Sequence, residues 1–215
     1  MKNILGLSAA IVVAISASAS AAVTLTSRNF SSTTAGVPIV SAAGASLDQG
    51  TFIWSAGRFA TLPNFNTSTA LEIIAAFTAV PAAPGGVSAT LDGLFNASQS
   101  PDFGTSDAPS VFVGKQAFIL VGNGATLALS TAIAVFDAGV TFAAPNALGA
   151  GSQTLTANTI GQVVFGTVRT VTTQPSGTFN TPQGVALSTG IAIPEPSAAL
   201  LGAIGALGLL RRRRN

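Results

Sequence analysis

The chain has 215 residues, enough for one domain with a hydrophobic core, and only 7% of them are charged, against about 25% in an average protein. It contains no histidine and no cysteine, which excludes Ser-His-Asp triads, disulfides and the usual zinc, iron and copper sites. Lys2 and the arginines at 211–214 account for five of the nine basic residues, so the remainder is slightly acidic and offers no basic patch for nucleic acid.

The first 22 residues have the three parts of a secretory signal peptide. Lys2 gives a positive start, Ile4–Ile15 an apolar core, and Ala17–Ala22 a run of small residues. The Ala-x-Ala pattern places the cleavage after Ala21 or, one residue later, after Ala22. We therefore expect the Sec machinery and a signal peptidase to export the chain, because the apolar core is too short for a transmembrane helix.

Two strands are predicted early in the exported body, which runs from residue 23 to residue 192. Val23–Phe30 alternates between apolar and polar residues, as a half-buried strand does. Thr51–Phe59 is rich in aromatic residues and contains the chain's one tryptophan, Trp54. We expect Trp54 to lie in the core rather than to serve as a ligand platform.

A short helix is predicted at residues 70–79. Thr69 and Glu72 have the spacing of a capping box, and apolar residues follow them up to Pro81. A strand is the competing prediction, because short runs of Ile and Phe suit both structures. Beyond it, Asn96–Pro109 is rich in turn-forming residues and is predicted to be irregular.

The second half of the body reads as short strands separated by turns. The β-prone runs are 111–113, 117–121, 127–136, 140–142, 163–165 and 167–172, and the separators are Gly114-Lys115, Gly122-Asn123-Gly124, Asp137-Ala138-Gly139 and Gly166. Asn-Gly and Asp-x-Gly sequences accept the positive φ angles of hairpin turns. The predicted fold class is therefore all-β, an antiparallel β-sandwich or jelly-roll-like body with one short helix.

Carboxylates are the remaining candidates for chemistry in the body. They are Asp48, Glu72, Asp92, Asp102, Asp107 and Asp137, and their spacing matches no known catalytic pattern. Asp102 and Asp107, with Asp92 near them, would suit Ca²⁺, but turn formation explains them as well. We predict that the protein is not an enzyme and that it has no cofactor and no metal site.

Alternating threonines suggest a polar strand face. Thr154, Thr156, Thr170 and Thr172 have the period of two that places side chains on one side of a strand. A flat face of Thr, Ser and Asn would suit a carbohydrate or ice. A solvated strand face explains the same residues without a ligand.

The C-terminal segment, residues 193–215, has three parts in a fixed order. Pro194, Glu195 and Pro196 come first, Ser197–Leu210 is an uncharged run of fourteen residues, and Arg211, Arg212, Arg213 and Arg214 follow. As a helix the run is about 21 Å long, against about 30 Å of bilayer hydrocarbon, and snorkelling arginines recover part of the difference. The segment predicts a short transmembrane helix with its arginines in the cytoplasm, and a permanent tail anchor is the alternative to processing.

These residues resemble the PEP-CTERM sorting signal of Gram-negative bacteria, a tail also known as the ice-binding protein C-terminal domain. The resemblance implies recognition by an exosortase, an integral-membrane cysteine transpeptidase that cuts near Pro-Glu-Pro, in species that make exopolysaccharide. The second name describes the tail and does not establish ice binding.

The sequence therefore predicts a non-catalytic exported protein that is anchored briefly in the inner membrane and then reaches the cell surface or the extracellular matrix. Its expected partners are the exosortase, the membrane and exopolysaccharide. A carbohydrate- or ice-binding module and a secreted polysaccharide hydrolase are the alternatives.

Overall fold

A computed structural model describes residues 22–32, 35–80, 91–99, 111–144, 150–176 and 178–190. Residues 1–21 and 191–215 lie outside these ranges, and with them the predicted signal peptide up to Ala21 and the whole predicted sorting tail. Within the described ranges, no helix has the length and apolar character needed to cross a membrane.

Strands dominate the described residues. They are β1 (Ala22–Arg28), β2 (Phe30–Ser32), β3 (Ala35–Gly36), β4 (Ile39–Val40), β5 (Ile53–Phe59), β6 (Phe77–Ala79), β7 (Asn96–Gln99), β8 (Gln116–Gly122), β9 (Ile133–Thr141), β10 (Ala150–Thr156), β11 (Val163–Phe165), β12 (Thr167–Thr170) and β13 (Gln183–Ala186). The helices are α1 (Ala70–Ala76) and two 3₁₀ turns, η1 (Leu127–Leu129) and η2 (Ile160–Gln162).

The centre of the molecule is a five-stranded antiparallel sheet in the order β11-β9-β8-β5-β6. Its middle strands are apolar on both sides, since all residues of β8 from Ala117 to Gly122 are buried. Strands that are buried on both faces need a covering layer on each side. The sheet therefore organises the rest of the fold.

Each face of this sheet has its own hydrophobic cluster. On one face Trp54, Ile119 and Phe136 pack with Leu25 of β1 and Leu155 of β10. On the other face Phe59, Phe118, Leu120 and Val135 pack with Ile73 of α1. The described residues thus form a β-sandwich in which the outer sheets cover one face of the five-stranded sheet and the short helix α1 covers the other. The predicted all-β sandwich with one short helix is confirmed for this part of the chain.

Two three-stranded sheets form the outer layer, in the orders β10-β1-β7 and β12-β13-β4, and β2 pairs with β3 separately. The five-stranded sheet is antiparallel throughout, as predicted, but β1 runs parallel to β10 and β13 runs parallel to β4. Parallel neighbouring strands need a long connection, and here each connection comprises most of the body. Local sequence patterns do not encode such a pairing.

Asn29, which follows β1, connects this strand to the segments around residues 37 and 93–95. Its side chain is fully buried, donates to the carbonyl oxygens of Val37 at 2.9 Å and Gly93 at 3.0 Å, and accepts from the Phe95 N–H at 2.8 Å. Phe95 in turn stacks on Trp54 with ring centroids 4.8 Å apart, and Trp54 is completely buried, as predicted. One amide side chain thus fastens three chain segments over the core.

The predicted capping box at α1 is confirmed. The Glu72 N–H donates to Thr69 Oγ1 at 3.3 Å, and the Thr69 N–H donates to Glu72 Oε2 at 2.7 Å. The helix is shorter than predicted, because it ends at Ala76 and Phe77–Ala79 form β6 against β5. The competing predictions of a helix and a strand are thus each correct for part of residues 70–79.

Several predicted strand and loop positions are wrong in this fold. Residues 111–113 form a bend and turn rather than a strand, and Asn96–Gln99, predicted as irregular, form β7. Residues 127–136 do not form one strand, because η1 precedes β9. The other residues of the predicted irregular stretch, 100–109, lie outside the described ranges.

Asp137-Ala138-Gly139 is a bulge inside β9 and not the predicted separator between strands. Between the pairs Phe118–Asp137 and Gln116–Thr141 the register shifts, so β9 carries extra residues there. Gly139 has φ +69°, and Asp137 Oδ1 accepts from the Gly139 N–H at 2.7 Å and from Gln116 Nε2 at 2.6 Å. The Asp-x-Gly sequence that is typical of a turn therefore forms a bulge here, because both structures need a residue with a positive φ.

Candidate functional site

The outward side of the β10-β1-β7 sheet carries a regular polar surface. Leu25 and Leu155 point into the core and are fully buried, so their neighbours along each strand point outward. The outward residues form what we call the hydroxyl face: Thr24, Thr26 and Arg28 on β1, Ser152, Thr154 and Thr156 on β10, and Asn96 and Ser98 on β7.

Strand pairing places these side chains in rows. Ser98, Thr26 and Thr154 lie side by side, as do Asn96, Arg28 and Thr156 in the next row. Neighbours in a row are about 4.8 Å apart and successive rows about 6.8 Å apart, from the geometry of paired strands. Thr26 Oγ1 and Ser98 Oγ share a hydrogen bond of 2.8 Å. The result is a grid of groups that both donate and accept hydrogen bonds.

Charge is nearly absent from the hydroxyl face. Arg28 is its one ionisable residue, and it is half-buried between Asn96 and Thr156. Its Nε atom is buried and has no hydrogen-bond partner among the described residues. Such a surface is suited to many weak contacts with neutral or acidic hydroxyl-rich ligands.

Only half of the predicted threonine set lies on this face. Thr154 and Thr156 belong to it, whereas Thr170 ends β12 in the other three-stranded sheet and Thr172 follows that strand. The four alternating threonines therefore belong to two different sheets. Thr-Leu-Thr occurs at 24–26 and again at 154–156, so both strands show the same alternation, but the alternation does not state that the two strands pair.

The described carboxylates are dispersed. Glu72 caps α1, Asp137 holds the β9 bulge, Asp48 lies in the loop before β5, and Asp92 lies in the turn at Gly93. No three His, Cys, Asp or Glu residues come together as a metal site in the described ranges. Asp102 and Asp107 fall outside these ranges, so the Ca²⁺ hypothesis stays a prediction.

The predicted sorting residues also lie outside the described ranges. They are Pro194, Glu195, Pro196 and the arginines at 211–214, together with Ala21 at the signal cleavage site. Ala22, the alternative cleavage residue, is the first residue of β1 and pairs with Ala150. The body is described up to Gly190, three residues before the predicted tail.

Comparison with known proteins adds no relative. No family model matches the chain, and neither the curated proteins nor the solved structures include a match.

Proposed function

We propose that the chain is a non-catalytic exported protein of a Gram-negative bacterium, delivered to the cell surface or the extracellular matrix and associated there with exopolysaccharide. The observation that carries the proposal is the order of features at the two ends. A signal-peptide pattern opens the chain, and Pro-Glu-Pro, an apolar run and four arginines close it. An exosortase is the partner that the resemblance of the tail implies.

The processing step is tested by the intact mass of the protein recovered from outside the producing cells. We expect a chain that begins at Ala22 or Val23 and ends close to Pro194–Pro196. Replacing Arg211–Arg214 by glutamine should leave the protein uncut or misrouted, because the basic cluster no longer fixes the topology of the tail. Arg169→Gln, an exposed position on β12, is the control and should be processed normally.

Secreted protein that retains Arg211–Arg214 would contradict the processing step. Normal routing of the glutamine variant would contradict the role of the tail.

A second function, carbohydrate binding by the body, is supported by the hydroxyl face. Its eight outward residues present hydroxyl, amide and guanidinium groups in register over three strands. Sugars offer hydroxyl groups that both donate and accept hydrogen bonds, and each weak contact is repeated along a polymer, which raises the apparent affinity. The single cation, Arg28, favours a polysaccharide with acidic groups.

Thr→Val replacements on this face test carbohydrate binding, since valine keeps the shape and removes the hydroxyl. Thr24→Val with Thr154→Val should weaken co-sedimentation with the organism's own polysaccharide, whereas Thr170→Val, exposed at the end of β12, should not.

Equal binding by both variants would remove the hydroxyl face from the proposal. Thermal hysteresis without polysaccharide binding would favour ice as the ligand, and release of reducing ends would favour the hydrolase alternative.

A further inference from the structure

The chain leaves the described body at a defined place beside α1. The Ile133 N–H donates to the Ser188 carbonyl oxygen at 2.9 Å, and the Ser188 N–H donates back at 2.8 Å. The Ala70 N–H then donates to the Thr189 carbonyl oxygen at 3.0 Å, and Gly190 bridges to Thr69. The last described residues are thus fixed between the start of β9 and the start of α1.

Two exposed leucines lie close to this exit. Leu71 is in the first turn of α1, directly after Ala70, and 63% of its surface is exposed. Leu129 ends η1, which packs beside α1, and is 68% exposed. Most surface leucines need no explanation when they stand alone. These two share one end of the molecule with the point from which the tail departs.

Local structure fixes both leucines in their outward positions. In α1, Ala70 and Ile73 face the core, so Leu71 is turned to the opposite side of the helix. Leu129 sits in the β8–β9 connection, where Asn123 Oδ1 accepts from the N–H groups of Thr131 at 2.9 Å and Ala132 at 3.0 Å. The connection is tightly folded, and its exposed leucine is a stable feature of the surface.

The same end carries little charge. The connection from Asn123 to Ala132 has no charged residue, and Glu72 is the one charged residue of α1. The Glu72 carboxylate is engaged by the Thr69 N–H and hydroxyl. Bringing this end to a lipid surface therefore displaces few strongly hydrated groups.

The length of chain between body and tail limits how the body is placed. Six residues lie between Gly190 and Ser197, where the apolar run begins, and this stretch spans about 25 Å at full extension. A compact domain of about 170 residues is about 40 Å across. A tail inserted in a membrane thus cannot reach around the body, so the exit end must be the one that faces the bilayer.

We propose that, before processing, the end of the body formed by α1 and η1 rests on the outer surface of the membrane, with Leu71 and Leu129 at the lipid interface. This rests on the proposed insertion of the tail. The apolar run is about 9 Å shorter than the hydrocarbon layer, which draws the linker toward the headgroups and holds the body close. The hydroxyl face, on the other side of the five-stranded sheet, then points away from the lipid.

Single cysteines test this arrangement, because the natural chain has none. Full-length Leu71→Cys, Leu129→Cys, Thr154→Cys and Ala206→Cys are labelled with an environment-sensitive fluorophore and reconstituted into phosphatidylcholine–phosphatidylglycerol vesicles. A fraction of the lipids carries a spin label at the headgroup or in the acyl chain. We expect headgroup quenching at least two-fold stronger at 71 and 129 than at 154, and strong acyl-chain quenching at 206.

The four labels separate the two proposals. Quenching at 206 with no excess at 71 and 129 over 154 would overturn the membrane-facing end while leaving the tail inserted. Absence of quenching at 206 would overturn the insertion itself and, with it, the arrangement of the body. Leu71→Asn with Leu129→Asn, which changes only exposed positions, should reduce quenching of a label at Ala75→Cys, an exposed position of α1.

Discussion

The two sides of the five-stranded sheet are covered in different ways. On the side of β1, three separate chain segments are fastened by the buried side chain of Asn29, and the layer above is itself a hydrogen-bonded sheet. On the other side, a helix of seven residues with Ala70 and Ile73 as its buried contacts does the same work. The difference teaches that a polar side chain with partners in distant segments holds the β1 layer in place, whereas the buried side chains of α1 are apolar.

The largest effect is expected on the β1 side, from Asn29→Ala. The change leaves the Val37 carbonyl and the Phe95 N–H buried without their partner, at about 1–3 kcal/mol for each group, so the free energy of unfolding should fall by about 4 kcal/mol. Urea denaturation followed by Trp54 fluorescence measures it. Asn64→Ala removes one exposed contact, from the Asn66 N–H at 3.1 Å, and should cost about 1 kcal/mol or less. Equal losses would mean that Asn29 does not fasten this layer.

On the helix side, Ile73→Ala should lower the free energy of unfolding by about 3 kcal/mol, because it opens a cavity beneath α1. Ile73 is fully buried, while Leu71, two residues earlier, is largely exposed. Leu71→Ala should therefore change the stability by about 0.5 kcal/mol at most. The same denaturation experiment compares them, and a large loss for Leu71→Ala would show that its side chain supports the fold.

Gly93 belongs to the same polar contacts on the β1 side, since its carbonyl oxygen accepts from the Asn29 side chain and from the Ile39 N–H. Its φ is +70°, and a Cβ atom there would lie 2.5 Å from the Ile39 carbonyl oxygen. Gly50 has a similar φ of +78° with open space around it. Gly50→Ala should cost about 1 kcal/mol for the backbone alone, and Gly93→Ala about 3 kcal/mol in total. A small difference in unfolding midpoint would mean that the chain around residue 39 yields easily.

The smallest effect concerns Glu72 at the start of α1. The hydrogen bond from the Thr69 N–H, helped by the Thr69 hydroxyl, lowers the pKa of the Glu72 carboxyl below its usual value. The stabilisation is therefore complete above the unfolded-state pKa and is lost as the pH falls through the lower folded-state pKa. Glu72→Gln should unfold at lower urea than the natural chain at about pH 7, and the gap should narrow at about pH 3. A gap that does not change with pH would refute the charge contribution.

Local rules account for the elements that depend on neighbouring residues. The Thr69–Glu72 capping box and the burial of Trp54 follow from spacing and residue type, and both are confirmed. The prediction that Asp137-Ala138-Gly139 separates two strands is wrong because a bulge and a turn favour the same residue types. The pairing with the partner strand decides which of the two forms. The composition of the candidate site, by contrast, depends on pairing between segments that are distant in the sequence.

The hydroxyl face illustrates the limit for functional residues. Thr24 and Thr154 come to one surface because β1 runs parallel to β10, and no local pattern states that pairing. The burial of Asn29 is equally hidden in the sequence, because asparagine is a residue type that is mostly exposed. In the fold its side chain is held by three backbone groups.

The central place of β1 in its sheet governs when the protein is able to fold. As the first strand of the described residues, it must wait for β7 and then for β10, whose Ala150 pairs with Ala22, before both its edges are satisfied. Contacts between such distant segments slow the search for the native state. Refolding followed by Trp54 fluorescence should accordingly take milliseconds to seconds rather than microseconds.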